Sequence, residues 1–155
     1  MARWGYHAME SDEGLSLLQF LGETLVKGQE SVSLSDILDT LRAYKRMDTE
    51  DTKNTEPFDE ADVALAEFCL HWARKKEVSS YQNSHFHLAE WKNLKELRTD
   101  PKSLGFLLNR LLEIQADADS CQREYTNFWL ESAEYYDWIS HIDQLTAGIR
   151  ELAGQ

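Results

Sequence analysis

From Leu104 to Leu152 apolar positions recur in sevens, with no proline to interrupt them. Counted from Leu104, the fourth positions are Leu107, Ile114, Cys121, Phe128, Tyr135, Ile142 and Ile149, all apolar, aromatic or thiol. A period near 3.5 lays one stripe along a helix, and such a stripe needs partner helices to cover it. One straight helix of that extent would be roughly 73 Å long at 1.5 Å per residue. A compact chain of this size has a radius of gyration of only about 15 Å. Asp and Ser prefer caps to helix interiors, so Asp117-Ala118-Asp119-Ser120 is the weak point, and a break or sharp kink is expected near residue 119.

Upstream, Ser11-Asp12-Glu13 sets a capping hydroxyl and two acids ahead of Leu15, Leu17, Leu18, Leu21 and Leu25, and Gly28 closes that helix. A second helix starts at Ser33-Leu34-Ser35-Asp36 and ends near Lys45 and Arg46. Residues 48–57 are polar, patternless and end in Pro57, which predicts a loop. A third helix over about Asp59 to Lys76 gathers Ala61, Leu65, Phe68 and Trp72 on one face. Leu88, Trp91, Leu94 and Leu97 suggest a fourth, and Asp100-Pro101 is a helix start with proline at the first position. The sum is an all-α, single-domain irregular bundle of five or six helices spanning 1–155, with a long, kinked C-terminal helix. Any strand is expected in residues 78–88.

Composition narrows the function more than the fold. The 28 Asp plus Glu against 16 Lys plus Arg give a formal net charge of −12. Such a surface repels phosphate backbones and anionic lipid, so neither nucleic acid nor membrane is expected as a partner. It suits a basic partner protein, or it simply keeps the chain soluble. The opening residues have no apolar core of signal-peptide length, so a cytoplasmic location is expected. Cys69 and Cys121 fall among apolar helical positions and suggest neither a disulfide nor a zinc site.

Three histidine patterns are candidate chemistry. In a strand, His85 and His87 would face the same way and share a metal ion; in a helix they would point about 200° apart. Glu67 with His71, and Asp137 with His141, have the i, i+4 spacing that orients an imidazole or holds a metal. On a wheel phased on Tyr125, however, His141 falls opposite the stripe, where a solvated pair is the plainer reading. No glycine-rich phosphate loop or nucleophile elbow occurs, so no catalytic residue is assigned and no cofactor is implied.

Met1-Ala2-Arg3-Trp4-Gly5, then Met9, Asp12, Gly14 and Leu15, resembles the opening of the small bacterial proteins grouped as DUF4259. The likeness covers about a tenth of the chain, with Gly14 where that family usually has alanine. It implies a bacterial cytoplasmic protein and no particular activity. Trp4 is expected to pack on the bundle and Gly5 to let the backbone come close.

The favoured function is a non-enzymatic binding or assembly protein acting through protein–protein contact. The alternative is a metal-dependent enzyme, hydrolase-like, drawing on His71, His85, His87 or His141. Tyr135, Trp138, Leu145 and Ile149 widen the C-terminal apolar arc to roughly 200°, more than an ordinary surface helix buries. Either the other helices cover both sides, or a homodimer buries Trp138, Leu145 and Ile149 with Trp138 at its centre.

Overall fold

The computed structural model describes residues 3–47, 56–78, 81 and 86–154. Among the described residues six α-helices make up the bundle: α1 (Asp12–Leu21), α2 (Leu34–Ala43), α3 (Glu56–Lys75), α4 (Pro101–Asp117), α5 (Glu124–Leu130) and α6 (Tyr135–Leu152). The expected starts are built as the capping chemistry requires. Ser11 Oγ accepts from the Gly14 N–H, Ser33 Oγ from the Asp36 N–H, and Asp100 from the Ser103 N–H, with Pro101 opening α4. Residues 48–55 of the expected polar loop lie outside the described residues, and α3 already begins at Glu56, with Pro57 in its first turn.

α3 is the axis. It touches α1, α4, α5 and α6, and every residue from Asp59 to Cys69 is buried. A helix covered on all sides is ordinarily apolar all round. This one carries Asp59, Glu60, Asp62 and Glu67 into the interior, with Ala61, Val63, Ala64, Leu65 and Ala66 between them. Small side chains let neighbouring helices come close, and the carboxylates are met by Arg123, Arg3, Arg110 and His141 respectively.

The long C-terminal segment breaks twice. α4 stops at Asp117, whose carboxylate accepts the N–H groups of Gln122 and Arg123 at 2.9 Å each while Cys121 takes a left-handed φ of 49°. The break expected near residue 119 is therefore present, and Asp117 caps it. Burial pushes the Asp117 carboxyl up, but the Arg123 and Gln122 N–H groups and the Thr126 and Ser120 hydroxyls outweigh it and hold the group below its ordinary value. A depressed folded value means that the stabilisation is complete above pH 3.8 and is lost as the pH falls below it. Urea denaturation from pH 5 downwards is expected to show a shallower acid loss in Asp117→Asn than in the wild type. The second break, at residues 131–134, was not expected from the heptads; there the Ser132 Oγ accepts the Glu134 N–H.

Two expectations are corrected. Residues 88–97 form no helix: a 3-10 turn at Ala89–Asn93 leads into a strand, β2 (Glu96–Arg98). It pairs in parallel with β1 (Ser31–Ser33), Val32 opposite Leu97; of the stretch 78–88 where a strand was expected, residues 79–80 and 82–85 lie outside the described residues. Leucines and tryptophan spaced by three fit a 3-10 turn as well as a helix, and here Trp91 Nε1 bonds the carbonyl of Leu18. Trp4, expected to pack on the bundle, is half exposed, and a Cβ on Gly5 would overlap the end of the Glu10 side chain.

Trp138, Leu145 and Ile149 are at most 5% exposed and lie in the chain's own core, so the other helices cover the arc. Tyr135 packs partly against that core, and Tyr136 faces solvent. Among the described residues no helix is long and apolar enough to cross a membrane.

Candidate functional site

Between α3 and α6 lies a cleft of about 830 Å³. Its apolar lining is Leu70, Ala73, Leu145, Gly148 and Leu152; the polar lining is His7, Glu67, His71, Arg74, Tyr81, His141, Gln144 and Glu151. At Gly148 the Leu70 side chain comes close to α6, where a Cβ would stand 2.7 Å from Leu70 Cδ1. A ligand-sized, largely apolar concavity with a few convergent polar groups is the usual form of a binding site.

The floor is built around Glu67. Its Oε2 accepts the Ala8 N–H at 2.6 Å and its Oε1 the Met9 N–H at 2.9 Å, so α3 grips the 3-10 turn Ala8–Glu10 of the lead. The same Oε2 lies 2.8 Å from His141 Nε2 on α6. A carboxylate only accepts, so Nε2 carries the hydrogen and Nδ1 is the imidazole's other face. The His7 ring stacks on that of His141, centroids 4.0 Å apart and planes 19° apart, with Tyr6 edge-on to His141. One donor atom each from His7, Glu67 and His141 lies within 4.8 Å of the others, a set of two imidazoles and one carboxylate able to hold a metal ion.

Gly14 makes the lead's position attainable, since a Cβ there would overlap the Ala8 carbonyl. On the outer wall His71 Nε2 lies 3.2 Å from Glu77, and the Tyr81 ring packs on His71 at 4.6 Å. Burial, helped by the negative charge of Glu67 and Glu77, holds the Tyr81 phenol above its ordinary value, so it enters the cleft as a hydrogen-bearing group.

No protein-family model, curated protein or solved structure matches this chain.

The histidines of the sequence analysis thus part company. His141 and His71 both reach the cleft. His87 is exposed, with its backbone N–H on Gln19 of α1, and His85 lies outside the described residues. His141 does not sit on a solvated face beside Asp137. Asp137 is exposed, and His141 is 7% exposed and reaches across to Glu67, which also carries Glu67 beyond its i, i+4 neighbour. The cause is phase. The break at 131–134 resets the wheel, and within α6 itself Trp138, His141, Ile142, Leu145 and Ile149 form one stripe.

His7 was not singled out. Its only signal is a histidine two residues beyond the Trp4-Gly5 pair, and its partners lie on α3 and α6. Nor was the grip of Glu67 on the lead foreseen.

Glu67→Gln tests that grip. A carboxamide offers one accepting oxygen to two backbone N–H groups and turns an NH2 towards one of them. The expected loss is about 2–4 kcal/mol in urea denaturation, with faster hydrogen exchange at the Ala8 and Met9 amides than elsewhere.

Proposed function

We propose that the protein is a non-enzymatic binding protein whose receptor site is the α3–α6 cleft, and that its ligand is a small organic carboxylate with an apolar body. The observation that carries this reading is the lining: apolar side chains from both helices together with Arg74, Tyr81 and three imidazoles, in a concavity of about 830 Å³. Both oxygens of Glu67 are already engaged, which leaves Glu151 as the carboxylate beside Arg74, the Tyr81 hydroxyl and the imidazoles of the lining. The DUF4259-like opening enters this reading as the element that brings His7 to the floor.

Octanoate serves as the probe. Titrated into labelled protein, it is expected to shift the signals of Leu70, Leu145, Gly148 and Leu152 saturably. Gly148→Ala should weaken that response, because its methyl displaces the Leu70 side chain while leaving every polar group in place. Saturable shifts confined to other parts of the molecule, or none, would sink the proposal.

A second reading, contact with another protein, is favoured by one observation. Phe128 and Leu130 on α5 and Tyr136 at the start of α6 are large, apolar and 45%, 48% and 81% exposed. Self-association through them would give a light-scattering mass above 18.0 kDa that falls back in Phe128→Ser/Tyr136→Ser. A monomer at all concentrations would remove this form of the reading.

A further inference from the structure

The floor of the cleft offers more than a polar end wall. Glu67 and His141 are fixed on two long helices, and their donor atoms stand 2.8 Å apart, a hydrogen-bond distance a little shorter than that between two adjacent ligands on one ion. His7 completes the set from the lead, with all three donors inside 4.8 Å. Donors bound tetrahedrally at about 2.0–2.2 Å lie roughly 3.3–3.6 Å apart, so the set has to close by about 1.2–1.5 Å. The Glu67–His141 pair is already close, so His7 is the residue that moves.

It is also the residue placed to move. Two nearly parallel stacked rings cannot both aim in-plane lone pairs at one point. His7 precedes the 3-10 turn on extended backbone and is only half buried, so its ring can turn out of the stack while the helices stay put. The Ala8 and Met9 N–H groups that hold Glu67 would then serve as the outer hydrogen bonds that orient a ligating carboxylate.

We propose that His7, Glu67 and His141 bind one divalent first-row transition ion of the zinc type, with its remaining positions open to the cleft. This rests on the reading of the cleft as a ligand site and names what receives the ligand's head group: a carboxylate takes an open position on the ion. Two imidazole nitrogens and one oxygen favour such ions over magnesium or calcium, which prefer all-oxygen sets. Three protein ligands leave a coordination position for water or ligand. The proton balance is simple. As the ion takes Nε2 of neutral His141, the hydrogen there passes to Nδ1 through solvent, and the imidazole stays neutral. A histidine already protonated must lose one proton, so affinity falls as the pH is lowered.

The test uses full-length, tag-free protein cleared of metal with a chelator. Titration with Zn2+ is followed by calorimetry and with Co2+ by visible absorption. The expected result is one ion per chain and d–d bands of a low-coordinate cobalt site. His7→Ala should weaken binding about 100-fold or more and abolish those bands. Its metal-free urea midpoint should stay near that of the wild type, since the Glu67 hydrogen bonds do not involve the His7 side chain. His87→Ala, outside the cleft, should bind as the wild type does.

Absence of one-to-one binding by either ion, or binding that survives His7→Ala, overturns the proposal. Octanoate added to metal-free protein separates the two readings. If it still fills the cleft while Zn2+ does not bind, the metal site is wrong and the cleft stands. If Zn2+ binds and octanoate shifts nothing with or without it, the metal site stands and the ligand class is wrong.

Discussion

Trp138→Ala is expected to cost about 3–5 kcal/mol, a large part of the stability of an ordinary domain. The indole is fully buried, stacked on Trp129 at 5.6 Å with planes 9° apart, and set edge-on against Tyr125 at 5.4 Å. Removing it opens a cavity that three surrounding helices cannot close and forfeits aromatic contacts worth about 0.5–1.5 kcal/mol each. The thermal midpoint should fall by roughly 10–15 °C for a chain of this length. Trp138→Phe, which refills most of the space, should cost less than half as much. The same substitution read as a dimer lesion would predict a midpoint that depends on protein concentration. Here the loss should be independent of concentration, and calorimetry across a tenfold dilution series checks it.

Where elements were legible, local chemistry was enough. Ser11, Ser33 and the Asp100-Pro101 pair announce helix starts because caps act within three residues, and each is found where the chain places it. Asp117 declares its break for the same reason. What escaped notice depended on phase or on distance. One heptad frame carried through residues 131–134 turned His141 outward, although the local spacing of Trp138, His141, Ile142 and Leu145 puts it on the buried stripe. Residues 88–97 escaped because a spacing of three serves a 3-10 turn as readily as a short helix.

The interior acids of α3 had a signal that an amphipathic reading passes over. Residues 61–72 are apolar nearly all round the wheel, so any acid among them must be inside. Which cation meets which acid is a long-range fact: Arg3, Arg110 and Arg123 come from three other parts of the chain. The candidate site shares that property. Glu67 and His141 are 74 residues apart, and His7 lies a further 60 before Glu67, so no spacing rule unites them.

The acids on α3 are not equivalent. Burial pushes the Asp62 carboxyl well above its ordinary value, with the Arg110 guanidinium, 3.8 Å away, only partly offsetting it. Asp59 instead takes both prongs of Arg123, Nε at 2.9 Å and Nη2 at 2.8 Å, with the two side chains 1% and 7% exposed. The backbone N–H of Arg123 is held by Asp117 in turn, so this one residue ties the first turns of α3 to the α4–α5 reversal.

Arg123→Ala deprives Asp59 of its guanidinium in a place water does not reach, and the expected cost is about 3–5 kcal/mol. Asp59→Ala should cost a similar amount by the converse route. Arg123→Lys keeps the charge but loses the planar fork, and should recover only part of the loss. The double variant Asp59→Leu/Arg123→Met decides between two accounts of the pair. If the ions are retained at an energetic cost, apolar side chains of similar volume should restore stability to within about 1–2 kcal/mol of wild type, despite two damaging single changes. If the fork is what positions α5 against α3, the double variant should remain as unstable as either single one and expose the Trp129 fluorescence to quencher. Urea denaturation of the wild type, the two alanine variants and the double variant at pH 7, read by tryptophan emission and by far-UV circular dichroism, distinguishes the two. The first outcome is expected, because the backbone bonds of Asp117 to residues 122 and 123 already fix the reversal without the Arg123 side chain.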